Sequence, residues 1–413
     1  MSEKEKLPQL REDLEYLWTV YQGKEALVVK DPVGLVKKPL VIYGETLNFL
    51  RLLQKSTSID ELQLNWIRMN QGVFSSQTEI RQMVDDLDRL FLLDTPHYRR
   101  EKQAMVQSFA RLSVRPPALA GQAYPAEKES LLQFLKGILD KGKKTEITGR
   151  KVSLKGLIVP HIDLEVGARV YAAGYRLLPA RKPPLILLLG TGHHLSSGLV
   201  SLTSKDFETP LGRVRTAKDI IEELKKDASR VISPDDFAHR SEHSLEFQLL
   251  FLQYLYGDSF EIVPILIGSF HEYLLGGKDF RDIPGLLAWV TKIKQIIHRK
   301  QSQWLIIASV DLAHVGLKFG HSLPGEALVS QARANDEKLM TALARGDAQK
   351  FWQINQEVKD KYNICGFSAL MILMLIWPGL RGELLDYDFW IDSASRSAVS
   401  FAAFGLYGDL EIS

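Results

Sequence analysis

The chain has 413 residues, 45% of them hydrophobic and 25% charged, which is the balance of a soluble globular protein and too long for one ordinary core. A formal net charge of +2 excludes an electrostatic case for nucleic acid or an anionic membrane as partner. One cysteine, Cys365, excludes an intrachain disulfide, and a reducing cytoplasm is the expected compartment.

The start, "MSEKEKLPQLREDLEYL", is charged and lacks the apolar core of a signal peptide. "EALVVKD" and "KPLVIYG" read as short strands. Two helices follow, each opened by a capping box: Ser58 with Glu61, then Ser76 with Glu79. In the second, Ile80, Met83, Val84, Leu87, Leu90 and Phe91 form one apolar stripe, so the helix packs on something. "HYRREKQ" and "SVRPPALAG" read as linker. A small N-terminal domain over residues 1–105, a linker over 106–117 and a large domain over 118–413 are expected.

In the large domain "LKGLIVP", "PLILLLG", "FEIVPILIG" and "QWLIIASV" read as buried strands. "AKDIIEELKKD", "SLEFQLLFLQYLY" and "LLAWVTKIKQIIHRK" between them have helical character, and "VSFAAFGLYG" closes the chain as a further strand. Alternation of helices with continuous apolar strands predicts an α/β domain with a mainly parallel sheet covered on both faces. "ALMILMLIW" is apolar but far shorter than the roughly 20 residues that span a bilayer.

Ligands of open α/β sheets bind outside the carboxyl ends of the strands. Three predicted strands run straight into polar residues there: His161 and Asp163, then His193 and His194, then Asp311 and His314. One histidine after a strand is ordinarily a loop residue; three at equivalent ends point to a metal site. "HRSEHSLEFQLLFL" adds His239, Glu242, His243 and Glu246, with Ser241 as a helix cap and His243 and Glu246 on one face. His243 is either an acid/base group or part of a surface turn whose acids favour the helix dipole. Cys365 precedes a strongly apolar helix, a position that favours a thiolate, though a small buried filler is the plain alternative. Two imidazoles and a thiolate suit zinc, iron or copper. The nucleotide-binding G-x-G-x-x-G after a strand, the P-loop and the G-x-S-x-G elbow are absent.

"AGQAYP", "VPHIDLEVGARVYAAGYRLL", "LLGTGHH", "FETPLGRVR", "SEHSLEFQLLFL", "VDLAH" and "NICGFSAL" resemble, in order and spacing, the Memo family, also called AmmeMemoRadiSam system protein B in bacteria and archaea. The resemblance covers about residues 115–410 and implies a fold similar to the class III extradiol (LigB-like) dioxygenases, which are non-haem iron enzymes. It implies His161, His193 and Cys365 as metal ligands, Asp311 and His314 beside them, and His243 in the pocket. It selects His193 over His194. A thiolate stands where the dioxygenases have a carboxylate, so ring opening is not inherited with the fold. Asp163 departs from the His-Ala-Gly-Tyr of many members and would set a carboxylate near the metal. The first 110 residues, "LFLLDTPHYRREK" above all, resemble a small winged-helix or peptide-recognition domain of the kind attached to radical-SAM peptide modification.

Three functions compete on these grounds. The first is a metal-dependent oxidoreductase using iron, alternatively copper or zinc, with His243, His314 and Asp311 as the catalytic groups. The second is a binding module for a peptide or a radical-SAM protein, using the cleft without catalysis. The third, a zinc hydrolase, lacks an H-E-x-x-H helix.

Overall fold

The computed structural model describes residues 6–142, 154–180, 183–226, 230–299 and 304–408. Asp227, Lys300 and Gln303, at the ends of segments expected as helix or strand, lie outside the described residues. Two compact units divide the chain, Met1–Arg111 and Leu112–Ser413.

In the first unit β1 (Glu15–Tyr21), β2 (Lys24–Lys30) and β3 (Leu40–Tyr43) form an antiparallel sheet in that order. Helices α1 (Gly44–Lys55), α2 (Ile59–Met69), α3 (Gln77–Arg89) and α4 (Pro96–Ala110) follow. Ser58 caps α2 by accepting from the Glu61 N–H, and Ser76 and Glu79 close a reciprocal box on α3. Leu62, Trp66, Ile80 and Leu87 share a core with Leu27, Val29 and Ile42 of the sheet. The stripe expected along α3 stops short: the helix ends at Arg89, Leu90 is exposed, and Phe91 turns away at φ +53°. "HYRREKQ" is helix rather than linker, because Thr95 caps it and Pro96 supplies a preset first turn.

The second unit opens with β4 (Val114–Arg115), α5 (Lys128–Asp140), β5 (Gly156–Val159), α6 (Ala168–Tyr175) and β6 (Leu185–Thr191). Next come β7 (Val200–Leu202), β8 (Asp206–Thr209), β9 (Gly212–Thr216), α7 (Lys218–Lys225), α8 (His243–Tyr256) and β10 (Glu261–Ile267). Then follow α9 (His271–Leu275), α10 (Leu286–Arg299), β11 (Trp304–Ser309), β12 (His314–Gly316), α11 (Gly325–Ala344) and α12 (Ala348–Glu357). The described chain closes with α13 (Phe367–Ile376), β13 (Arg381–Asp392) and β14 (Ser397–Tyr407).

One large sheet runs β12-β14-β5-β11-β6-β10-β9-β8-β4, with β13 on β14 and β7 on β10. Its centre, β5-β11-β6-β10-β9, is parallel, and the antiparallel pairs lie toward the margins apart from β7, which pairs with the carboxyl end of β10. The fold is therefore the mainly parallel α/β architecture that the apolar runs predict. Alternate residues of β6 enter different cores: Leu185, Leu187 and Leu189 pack with α7, α10 and α13, while Ile186 and Leu188 pack with α5, α6 and α8. Helices on both faces explain why every β6 position down to Gly190 is buried and why the strand reads as an unbroken apolar run. Among the described residues no helix is long and apolar enough to cross a membrane.

Candidate metal centre

Strand register brings the rim residues together. Val159 of β5 pairs with Ser309 of β11, and Ser309 pairs with Gly190 of β6. His161, Asp311 and His193, two or three residues further on, therefore leave the sheet side by side. The amino end of α8 closes over them because residue 190 has no side chain. A Cβ there would lie 2.5 Å from Ser244 Oγ and 2.6 Å from Leu245 Cδ2. His243, the first residue of α8, is delivered to the same rim. Cys365 arrives from the segment before α13, fixed by its own N–H to Leu312 O at 3.2 Å and the Gly366 N–H to Asp311 O at 2.9 Å.

The three histidines form a compact triangle, with ring centroids 4.9 Å (His161–His193), 5.1 Å (His161–His243) and 4.8 Å (His193–His243) apart. One ligand atom from each lies within 4.8 Å of the others, a group that could hold a metal ion. Cys365 Sγ is 3.2 Å from His161 Nε2 and 3.5 Å from His193 Nε2. Two donors on a tetrahedral metal, with bonds of about 2.3 Å to sulfur and about 2.0 Å to nitrogen, stand about 3.5 Å apart. The donor set and its spacing fit a metal.

Each imidazole has its outer nitrogen tied off. His161 Nδ1 meets Ser309 O at 3.0 Å, His193 Nδ1 meets Glu242 Oε1 at 3.0 Å, and His243 Nδ1 meets the same oxygen at 3.2 Å. These acceptors hold a proton on Nδ1 and leave Nε2 as the nitrogen that a metal would take. Glu242 also accepts the N–H groups of His193 (2.9 Å) and Ser244 (3.0 Å), so one buried carboxylate aligns two rings and caps α8.

Protonation follows burial and neighbours. His161 is fully buried and held well below the usual imidazole range, first by burial and then by His193 and His243, so it stays neutral. Burial opposes charge on His193, but Glu242 and Cys365 outweigh it and hold that imidazole above its ordinary value. Burial likewise opposes charge on Glu242, and His193 and His243 overcome it, so the carboxylate stays ionised. Burial pushes Asp311 up to about 7, against the His161 and Ile162 N–H groups that its Oδ1 accepts. Its Oδ2 stands 3.6 Å from His161 Nε2.

The other expected residues fall as follows. His314 opens β12, donates Nδ1–H to Leu312 O at 3.0 Å, and is pushed down to about 4 by burial. His193 and His194 are both exposed to solvent, but only the His193 ring packs against those of His161 and His243, at 4.9 and 4.8 Å; the His194 ring stands 6.4 Å from that of His193. Asp163 does not put a carboxylate on the centre: it is exposed, and its Oδ1 accepts the N–H groups of Glu165 (2.9 Å) and Val166 (3.1 Å). Ser241 is not the cap of α8; Glu242 is. Glu246 and His243 do not work on one site, since Glu246 turns inward to a fully buried ion pair with Arg115. His239 is buried and bonded to Ser201 O at 3.1 Å.

Sequence reasoning named Glu242 only as a member of the helix-start cluster, without its ring-orienting role, and gave no role to Ser309 or Gln248. Gln248 Nε2 donates to Pro160 O at 2.9 Å and Ser309 Oγ at 2.6 Å, tying α8 to the β5 and β11 ends. A glutamine among the apolar residues of a helix buried nearly all round was the available signal, because a buried polar group is present for its partners.

A histidine and thiol cluster on the carboxyl rim of a parallel sheet defines an α/β protein with a potential metal centre. The family model described as Memo-like protein matches residues 115–405, and the chain belongs to the Memo family. A MEMO1 family protein of Aquifex aeolicus is 28% identical over 388 residues, covering 93% of this chain and 96% of that protein. A MEMO1 family protein of Ignicoccus hospitalis is 33% identical over 300 residues, covering 69% and 95%. A solved structure of an uncharacterized Escherichia coli K12 protein aligns at a TM-score of 0.37 and 13% identity, over 61% of this chain and 99% of that one, a distant likeness.

Proposed function

We propose that this is a metal-dependent redox protein, with iron or copper held by His161, His193 and Cys365 and a small-molecule or peptide ligand bound in the cleft. The observation that carries the reading is the orientation of the donors: each Nδ1 is spent on a fixed acceptor, and Cys365 Sγ stands 3.2 and 3.5 Å from two Nε2 atoms. Surface histidines have no reason to be oriented in this way. When bound, such a metal supplies one-electron and Lewis-acid chemistry.

The chain's own groups do the rest. Glu242 holds the His193 and His243 rings and compensates positive charge at the centre. His243 is one-third exposed on its side chain, so a ligand can reach it from solvent, and it is the group placed to pass a proton to or from that ligand. Asp311 and His314 are the further acid/base candidates, Asp311 beside His161 and His314 with Nε2 left as an acceptor. The family resemblance supports a radical-SAM protein as partner, and the single cysteine supports a cytoplasmic setting.

Anaerobic purification followed by elemental analysis tests the reading, with His161→Ala, His193→Ala and Cys365→Ala alongside. Near-stoichiometric iron or copper in the parent, lost in all three variants, is the expected result. Metal-free protein that takes up neither iron, copper nor zinc overturns it and leaves a binding module on an enzyme-like fold; zinc alone overturns the redox role.

A further inference from the structure

Among the described residues, the segment that delivers Cys365 is built unlike any other turn. Lys359, Asp360 and Asn363 take left-handed backbone conformations, at φ +52°, +50° and +47°. Seven non-glycine residues do so among the described residues, and three of them fall within these five positions. Elsewhere the chain gives such conformations mostly to glycine, the residue that adopts them without strain. Asn and Asp tolerate this conformation next best, so the strain of the segment falls on Lys359. Of the three, Asp360 and Asn363 are hydrogen-bonded through their side chains, and among the described residues no bond of the Lys359 side chain accompanies them.

Their bonds run to the elements that flank this segment, and those of Asn363 to the His314 segment. Asp360 Oδ1 accepts Asn355 Nδ2 at 3.0 Å and the Ile364 N–H at 3.2 Å, and its Oδ2 meets His271 Nδ1 at 2.9 Å. Asn363 Nδ2 donates to His314 O at 3.1 Å and to Phe319 O at 3.2 Å. The His314 N–H in turn reaches Tyr362 O at 2.8 Å. On the far side of the cysteine, Gly366 is wedged: a Cβ there would lie 2.4 Å from Val310 Cβ and 2.8 Å from Asp311 O. Cys365 is thus clamped between a braced loop and a glycine pressed on β11's extension.

We infer that Asn363 and Asp360 are positioning residues that hold the Cys365 thiol on the His161–His193 pair, through hydrogen bonds that a strained loop aims at the His314 segment. Neither side chain has a hydrogen bond to the three proposed ligands, so each acts through the backbone it fixes. The inference rests on the metal reading above for its purpose, though not for its geometry.

Three variants of the full chain separate positioning from mere turning. Asn363→Gly keeps the left-handed conformation open and deletes both donated bonds. Asn363→Asp keeps the shape and sets an oxygen against the two carbonyls. Lys359→Gly relieves strain while removing no side-chain bond shown for the loop. Two quantities are read: iron or copper affinity by titration, and the rate at which iodoacetamide alkylates Cys365 in metal-free protein. Both Asn363 variants are expected to bind metal about 10- to 100-fold more weakly, as for other residues that orient ligands, and to be alkylated at an altered rate. Lys359→Gly is expected to match the parent in both.

Parent-like affinity and alkylation in the Asn363 variants would overturn the inference. Equal losses in all three would do so as well, by showing generic loosening of the loop. Failure of the parent to bind metal would sink the metal reading alone, because the alkylation arm needs no metal.

Discussion

The cap and the first turns of α8 carry two buried carboxylates with different partners. Glu242 faces the rim, where it meets two imidazoles and two backbone N–H groups. Glu246 faces the interior, where it is ion-paired with Arg115 and hydrogen-bonded to Tyr124 and the N–H groups of Ala118 and Leu119. Arg115 also donates to His239 O at 2.9 Å and Glu242 O at 2.8 Å. Both carboxylates are almost wholly buried and richly satisfied. The difference lies in the partners: a guanidinium is a permanent charge that locks structure, whereas imidazoles can exchange a proton for a metal. Burial alone does not mark a functional acid; what surrounds it does.

Removing the structural partner should have the largest effect. Glu246→Ala leaves Arg115 charged and unpaired in the interior, and a loss of about 3–5 kcal/mol in chemical denaturation is expected. A loss below about 1 kcal/mol would show that the pair is not what locks α8.

A third buried acid sharpens the contrast, because it has neither cation nor imidazole bonded to it. Asp336 accepts only the hydroxyls of Tyr387 (2.8 Å) and Ser400 (2.6 Å), and its Oδ1 has no partner. Burial pushes its carboxyl up to about 6. An acid whose pKa rises on folding destabilises the native state as pH climbs from its unfolded value, about 3.9, through its folded one. Stability should therefore fall by roughly 2–3 kcal/mol between about pH 4 and pH 7 through this residue alone. Asp336→Asn should flatten that part of the pH profile of the denaturation midpoint, and an unchanged slope would contradict the account.

Glu242→Gln keeps the shape of the rim acid and removes its charge. A stability loss of about 1–3 kcal/mol is expected, with metal affinity down about 10- to 100-fold. Unchanged affinity would mean that the His193 and His243 rings need no carboxylate behind them. The smallest effect belongs to Asp163→Ala, which should lower stability by at most about 1 kcal/mol and leave metal content unaltered. Lost metal there would restore the carboxylate to the centre.

Much of this was legible from residue types alone. Unbroken apolar runs announce β5, β6, β10 and β11, because helices cover both faces of the sheet. The histidines just past those runs announce the rim. Glu242 was not legible as a ring-orienting group, since an acid in the first turn of a helix looks the same whether it serves the dipole or an imidazole. The Arg115–Glu246 pair spans 131 residues of sequence, which local pattern cannot bridge. β1 escaped notice because its residues are exposed or half-buried and show no alternation. The brace at Asp360 and Asn363 escaped because those residue types are ordinary in turns; their backbone conformation and distant acceptors distinguish them.

The most direct test of the centre is cobalt substitution with optical spectroscopy, since cobalt(II) bound by sulfur shows a thiolate-to-metal charge-transfer band. The parent should show that band, and Cys365→Ser should lose it while His243→Ala keeps it. Cobalt bound in the parent without the band, or a band that survives in Cys365→Ser, would contradict the assignment of Cys365 to the metal.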